Sequence, residues 1–140
     1  MIPATIFIDT GAYLAHFHPK DQNHQQALEL WAWIEKNNIH RVTTNHVLDE
    51  LATILGRRTS YSFSAQKIRE IFAADVLIER SYEEDEQKAL DLFEKYSDQK
   101  ISFTDCLSFV VMKRLALKQA FTFDKKHFEY AGFGVLPNIY

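Results

Sequence analysis

Two aspartates follow short apolar runs. Asp9 closes Ile6-Phe7-Ile8-Asp9-Thr10-Gly11, and Asp124 closes Phe121-Thr122-Phe123-Asp124. Two more acids fall near expected helix starts. Glu50 lies between Val47 and Ile54 at the margin of an apolar stripe, where a carboxylate needs a partner because unpaired burial of a charge is costly. Asp105 lies on the side of Phe109, Met112 and Ala116. Each has an ordinary structural use. Strand-end aspartates make turns, Glu50 suits a salt bridge, and Ser102-Phe103-Thr104-Asp105 spells a capping box. The set says more than its members. If the four converge, each disfavours ionisation of the others, and a bound divalent cation resolves the conflict. An all-oxygen donor set suits magnesium or manganese rather than zinc. Such ions bind substrate phosphates and acidify a water for attack at phosphorus. The chemistry indicated is metal-dependent phosphodiester hydrolysis.

These acids need elements that bring them together. Short runs rich in β-branched and aromatic residues recur at Thr5–Ile8, Arg41–Thr44, Val76–Ile78, Ala120–Phe123 and Phe133–Leu136. Helical stripes stand between them: Ala27, Leu30, Trp31, Ile34; Val47, Leu51, Ile54, Leu55; Ile68, Ile71, Phe72; Ala89, Phe93, Tyr96; and Phe109, Val110, Met112, Leu115, Ala116. Ser81-Tyr82-Glu83-Glu84 fits a capping box ahead of the fourth stripe. Alternating strands and helices predict an α/β fold with a mostly parallel sheet covered on both faces. Open parallel sheets place their sites beyond the carboxyl ends of the strands, where Asp9 and Asp124 fall.

The bulk properties agree. A chain of 140 residues, 46% hydrophobic and 25% charged, is expected to form one domain over residues 1–140 with a core that needs no disulfide or metal. Eleven Phe, 6 Tyr and 2 Trp exclude intrinsic disorder. No apolar run approaches the ~18 residues of a membrane span. The first nine residues show no basic segment or cleavage site, so no signal peptide is expected. The single cysteine, Cys106, fits a reducing cytoplasm and a buried place beside Asp105. The net charge of −3 excludes nucleic-acid binding through bulk charge and leaves a local site.

Four motifs in order now point to a family. Phe7-Ile8-Asp9-Thr10-Gly11-Ala12-Tyr13, Val47-Leu48-Asp49-Glu50-Leu51, Ser102-Phe103-Thr104-Asp105-Cys106, and Phe121-Thr122-Phe123-Asp124 with His127-Phe128 and Gly132-Phe133 resemble the PIN-domain ribonucleases, especially the VapC-type toxins of toxin–antitoxin pairs. The resemblance covers essentially the whole chain. It implies a three-layer α/β/α sandwich with strand order 3-2-1-4-5. It implies Asp9, Glu50, Asp105 and Asp124 as the acidic site holding Mg²⁺ or Mn²⁺, endonucleolytic cleavage of RNA, a homodimer, and a VapB-type antitoxin that masks the site. It gives Thr122 a supporting role, with Thr10 and Thr104 as further hydrogen-bond donors. Lys125 and Lys126 separate Asp124 from His127, where many relatives have one residue or an additional acid. Other readings are a housekeeping PIN nuclease without an antitoxin and a PIN module that binds without cutting.

A site made of acids must still attract a polyanion, and nearby basic residues position phosphates. Arg57 and Arg58, at the end of the Glu50 helix, are assigned that role; Lys113-Arg114 and Lys125-Lys126 are further basic pairs. His46 is close enough in sequence to Glu50 to touch substrate, whereas His127 is read as a surface, cap or packing residue. His16 and His18 lack the partners of a zinc set. Asp9-Thr10-Gly11-Ala12 also spells the aspartic-protease triplet, which the helical periodicity argues against. Trp31 is expected in the core and Trp33 off it.

Overall fold

A computed structural model describes residues 2–137. Its centre is β1 (Thr5–Ile8), whose Ile6, Phe7 and Ile8 are fully buried. An uninterrupted apolar run of this kind belongs to a parallel strand covered on both faces. On one side of it lie β2 (His40–Thr44) and then β3 (Val76–Glu79); on the other lie β4 (Gln119–Phe121) and β5 (Gly134–Leu136). The order is β3-β2-β1-β4-β5, and every pairing is parallel. This is the 3-2-1-4-5 order and α/β/α sandwich expected above.

The connections are α1 (Thr10–Phe17), α2 (His24–Lys36), α3 (Asn45–Arg58), α4 (Tyr61–Ala73), α5 (Glu83–Lys95), α6 (Phe103–Arg114) and α7 (Lys125–Tyr130). A 3-10 turn, Ser97–Gln99, links α5 to α6. The stripes on α2 and α3 bury Ala27, Leu30, Ile34, Val47, Leu51 and Leu55 as expected. Trp31 and Trp33 are both partly buried against the core, so neither stands apart from it. Trp31 lies between His16, stacked at 4.6 Å, and Phe121, at 6.0 Å. The His16 ring is thus a packing surface.

Three expectations change. Phe72 and Phe93 leave the buried stripes: they are 55% and 45% exposed, because α4 and α5 meet the core along narrower faces than the periodicity suggests. On α6 the single stripe gives way to burial all round, from Asp105 through Met112, and the helix ends at Arg114. Ala116 therefore lies beyond it, at φ 57°. The capping box at α5 is set one residue later. Tyr82 is the N-cap residue, and its backbone N–H donates to Asp85 Oδ2 at 2.9 Å. Ser81 instead meets His46, Oγ to Nε2, at 2.7 Å.

Candidate active site

The carboxyl edge of the sheet is drawn together by short polar ties. Asp9 N–H donates to the Phe121 carbonyl at 3.0 Å, joining the ends of β1 and β4. Thr43 donates its hydroxyl to the Ile8 carbonyl at 2.9 Å, joining β1 to β2. Thr44 caps α3 by accepting from Val47 N–H at 3.1 Å, which fixes the helix that carries Glu50. Ser102 does the same for α6, accepting from Asp105 N–H at 3.1 Å. The strand expected to run to Phe123 stops at Phe121. The cause is Thr122, whose Oγ1 accepts from Asp124 N–H at 2.9 Å and turns the chain out of the sheet.

These elements bring Asp9, Glu50, Asp105 and Asp124 to one cleft of about 320 Å³, with Thr10, Gly11, Leu14, Ile54, Lys100, Ser102 and His127 on its walls. Both strand-end aspartates occupy the N-cap position of the helix that follows, but neither side chain makes a capping hydrogen bond. Asp9 Oδ2 instead accepts from the fully buried Thr122 hydroxyl at 2.8 Å. Asp124 Oδ2 lies 2.9 Å from His127 Nδ1. Thr122 thus bridges the two acids, one through its own proton and the other through Asp124 N–H.

Burial and mutual repulsion shape the charges. Burial pushes Asp9 up to about 6 despite the Thr122 hydrogen bond, and Glu50 and Asp124 add to the effect. Burial also pushes Asp105 up to about 9, with the charges of Asp9, Asp124 and Glu50 acting in the same direction. Among the described residues no Lys or Arg lies within 4.0 Å of any of these four carboxylates. Asp9 Oδ1 and Thr10 Oγ1 are buried without a hydrogen-bond partner. Unpaired hard-oxygen donors in a repelling cluster are the environment a divalent cation fits. One ligand atom each from Asp105, Asp124 and His127 lies within 4.8 Å of the others; Asp9 and Glu50 line the same cleft.

Other sequence candidates fall elsewhere. Thr104 is partly buried outside the cleft lining, and its carbonyl accepts from the Ser108 hydroxyl at 3.1 Å. Arg57 and Arg58 are exposed in the last turn of α3, roughly 10 Å beyond Glu50 along the helix axis. Arg58 stands 3.8 Å from Asp21. His46 is tied to Ser81 rather than to the cleft. Arg114 is no free surface charge: it binds Asp85 through Nε and Nη2, at 3.0 and 2.9 Å, and Glu79 through Nη1, at 2.8 Å. Burial pushes the Cys106 thiol up to about 11, consistent with a packing role.

Sequence reading missed two residues of the cleft. His127 had a signal, since it stands three residues after the N-cap Asp124, where side chains meet on the first helical turn. Lys100 had none, because only the path of the turn before α6 brings it there.

The comparisons agree with this geometry. The family model described as PIN domain matches residues 6–133. The 23S rRNA-specific endonuclease VapC20 of Mycobacterium tuberculosis is 31% identical over 128 residues, covering 91% of this chain and 95% of that protein. A VapC ribonuclease of Archaeoglobus fulgidus is 31% identical over 115 residues, covering 79% and 72%. The crystal structure of VapC20, described as a Sarcin-Ricin loop cleaving toxin, superposes with a TM-score of 0.83 at 30% identity over 91% of this chain and 95% of that one. Fold, acid placement and relatives converge: the chain belongs to the PIN-domain family, among the VapC-type ribonucleases.

Proposed function

We propose that this protein is a divalent-metal-dependent endoribonuclease, one PIN domain over residues 1–140, and the toxin of a VapBC-type pair. The observation that carries the reading is the cleft itself. Four carboxylates from four elements face one another with no arginine or lysine of the described residues paired to them.

Asp9, Glu50, Asp105 and Asp124 would hold Mg²⁺ or Mn²⁺. A bound ion supplies neutralisation of developing phosphate charge and a more acidic water. One acid of the cleft would accept the proton as water attacks phosphorus in line. Thr122 holds Asp9 in register with Asp124. Thr10 lines the cleft beside Asp9, whereas Thr104 stands outside its lining. Arg57 and Arg58 would meet RNA leaving the cleft along α3. The products are a 5′-phosphate and a 3′-hydroxyl.

RNA as substrate and a VapB-type antitoxin as partner follow from the kinship with VapC ribonucleases. A homodimer suits the apolar side chains left exposed, among them Leu77 at 53% and Phe72 at 55%. No helix of the described residues is long and apolar enough to cross a membrane, and a cytoplasmic site of action fits the RNA substrate.

The test is RNA cleavage by partner-free protein, wild type beside Asp9→Ala, in manganese, in magnesium and with a chelator. Metal-dependent cleavage that falls at least about a thousandfold in Asp9→Ala, some 4 kcal/mol of barrier, is the expected result. Equal cleavage by the two proteins removes the acidic cleft from the chemistry. A 2′,3′-cyclic phosphate product replaces the water mechanism with one driven by the 2′-hydroxyl.

A further inference from the structure

Of the residues lining the cleft, Lys100 alone carries a fixed positive charge. It is exposed, follows the Ser97–Gln99 turn, and holds φ 55° and ψ 40°. That left-handed backbone favours glycine over any residue with a Cβ. The side chain has no local use to set against the strain, because among the described residues no carboxylate lies within 4.0 Å of its Nζ.

The backbone on both sides of Lys100 is fixed. Before it, His127 Nε2 donates to the Gln99 carbonyl at 3.2 Å, while Nδ1 of the same ring meets Asp124 Oδ2 at 2.9 Å. One imidazole therefore ties the turn to an acid of the cleft. After it, Ile101 is buried and Ser102 caps α6. A strained lysine is held at the mouth of an anionic cleft whose substrate must be a polyanion.

We infer that Lys100 binds an RNA phosphate next to the scissile bond, offsetting the repulsion between substrate and carboxylates, and that His127 is a positioning residue for the Lys100 turn. This rests on the ribonuclease reading above. A phosphate contact positions the strand without reading its sequence, so its loss acts alike on every RNA.

The test uses Lys100→Gln, Lys100→Arg and Lys100→Gly in the full chain. Binding of a short single-stranded oligoribonucleotide is followed across a KCl series in an Asp9→Asn background, where the RNA stays uncut. Lys100→Gln and Lys100→Gly should weaken binding uniformly across sequences. The slope of log K against log salt should become shallower by about 0.7, and Lys100→Arg should restore it. With Asp9 intact, KM should rise while kcat stays within about twofold, the signature of lost uniform binding. Lys100→Gly should hold or raise the thermal midpoint, a result a purely structural lysine would not give. His127→Gln should weaken binding, and weaken it no further on the Lys100→Gln background.

An unchanged salt slope in Lys100→Gln, with RNA still bound and cut by the wild type, overturns the assignment and leaves the ribonuclease standing. Full additivity of the two variants removes the positioning role of His127. Absence of metal-dependent RNA cleavage by the wild type overturns the ribonuclease reading and this assignment together.

Discussion

Asp85 and Asp105 are both buried aspartates at the third position of a helix, and they are treated in opposite ways. Asp85 accepts from the N-cap residue's backbone N–H and from two guanidinium nitrogens of Arg114. Burial alone would push its carboxyl up, but these hydrogen bonds hold it below the ordinary range. Asp105 receives no arginine, and its neighbours are acids; burial and their charge push it up to about 9. The fold thus neutralises one buried carboxylate with a cation of its own. At the cleft it gathers carboxylates and pairs none of them with a lysine or arginine of the described residues. Stability accounts for the first arrangement. The second is the arrangement the proposed metal site calls for.

The largest test of this contrast is Arg114→Ala. It strands Asp85, and removing one partner of a buried pair costs about 3–5 kcal/mol. Since the Arg114 side chain is 29% exposed, water recovers part of that, and a loss of about 2–3 kcal/mol is expected in denaturant unfolding. RNA cleavage by the folded fraction should be unchanged; a parallel loss of cleavage would mean that the two regions are not independent.

Thr122→Val sharpens the other side. It keeps the shape of Thr122 and deletes the donor to Asp9 Oδ2 and the acceptor of Asp124 N–H. Residues that orient metal ligands are worth about 10–100-fold in affinity or activity, so a loss in that range is expected in manganese titrations of cleavage. The Asp9 carboxyl should also move further up, because the lost hydrogen bond favours its charged form.

Stability against pH, with a chelator present, also separates the two regions. Asp9 and Asp105 bind their protons more tightly in the folded protein than in the unfolded chain. Their contribution is complete below the ordinary value of 3.8 and is lost as pH rises through about 6 and then about 9. Asp85 runs the other way, adding stability above its ordinary value that is lost as pH falls through its lowered one. Thermal unfolding should show the first decline, with its lower part absent in Asp9→Asn. A flat profile would mean that the cleft acids are not strained in the free protein.

Much of this was legible in the sequence because it rests on period and burial. The run Ile6-Phe7-Ile8 announces a strand covered on both faces, and Asp9 and Asp124 sit at strand ends where parallel sheets place their sites. Partnership across the chain was not legible. Arg114 looked like half of a surface pair until α6 set it against α5 and β3, and Ser81 looked like a cap until His46 claimed its hydroxyl. Lys100 enters the cleft through a turn whose path no local pattern specifies, whereas His127 follows Asp124 by three residues on the first turn of α7.

Thr122 has a single proton to give, and it gives it to Asp9 Oδ2. One of its lone pairs is meanwhile taken by Asp124 N–H. Oδ2 already accepts one hydrogen bond, so Oδ1, the oxygen left without a partner, is the favoured place for a proton on Asp9. A cation drawn to Asp9 finds the same atom. Acid and metal contend for one oxygen, so each metal ion that binds there must expel any proton already present, and the apparent affinity for metal should climb as the solution becomes less acidic.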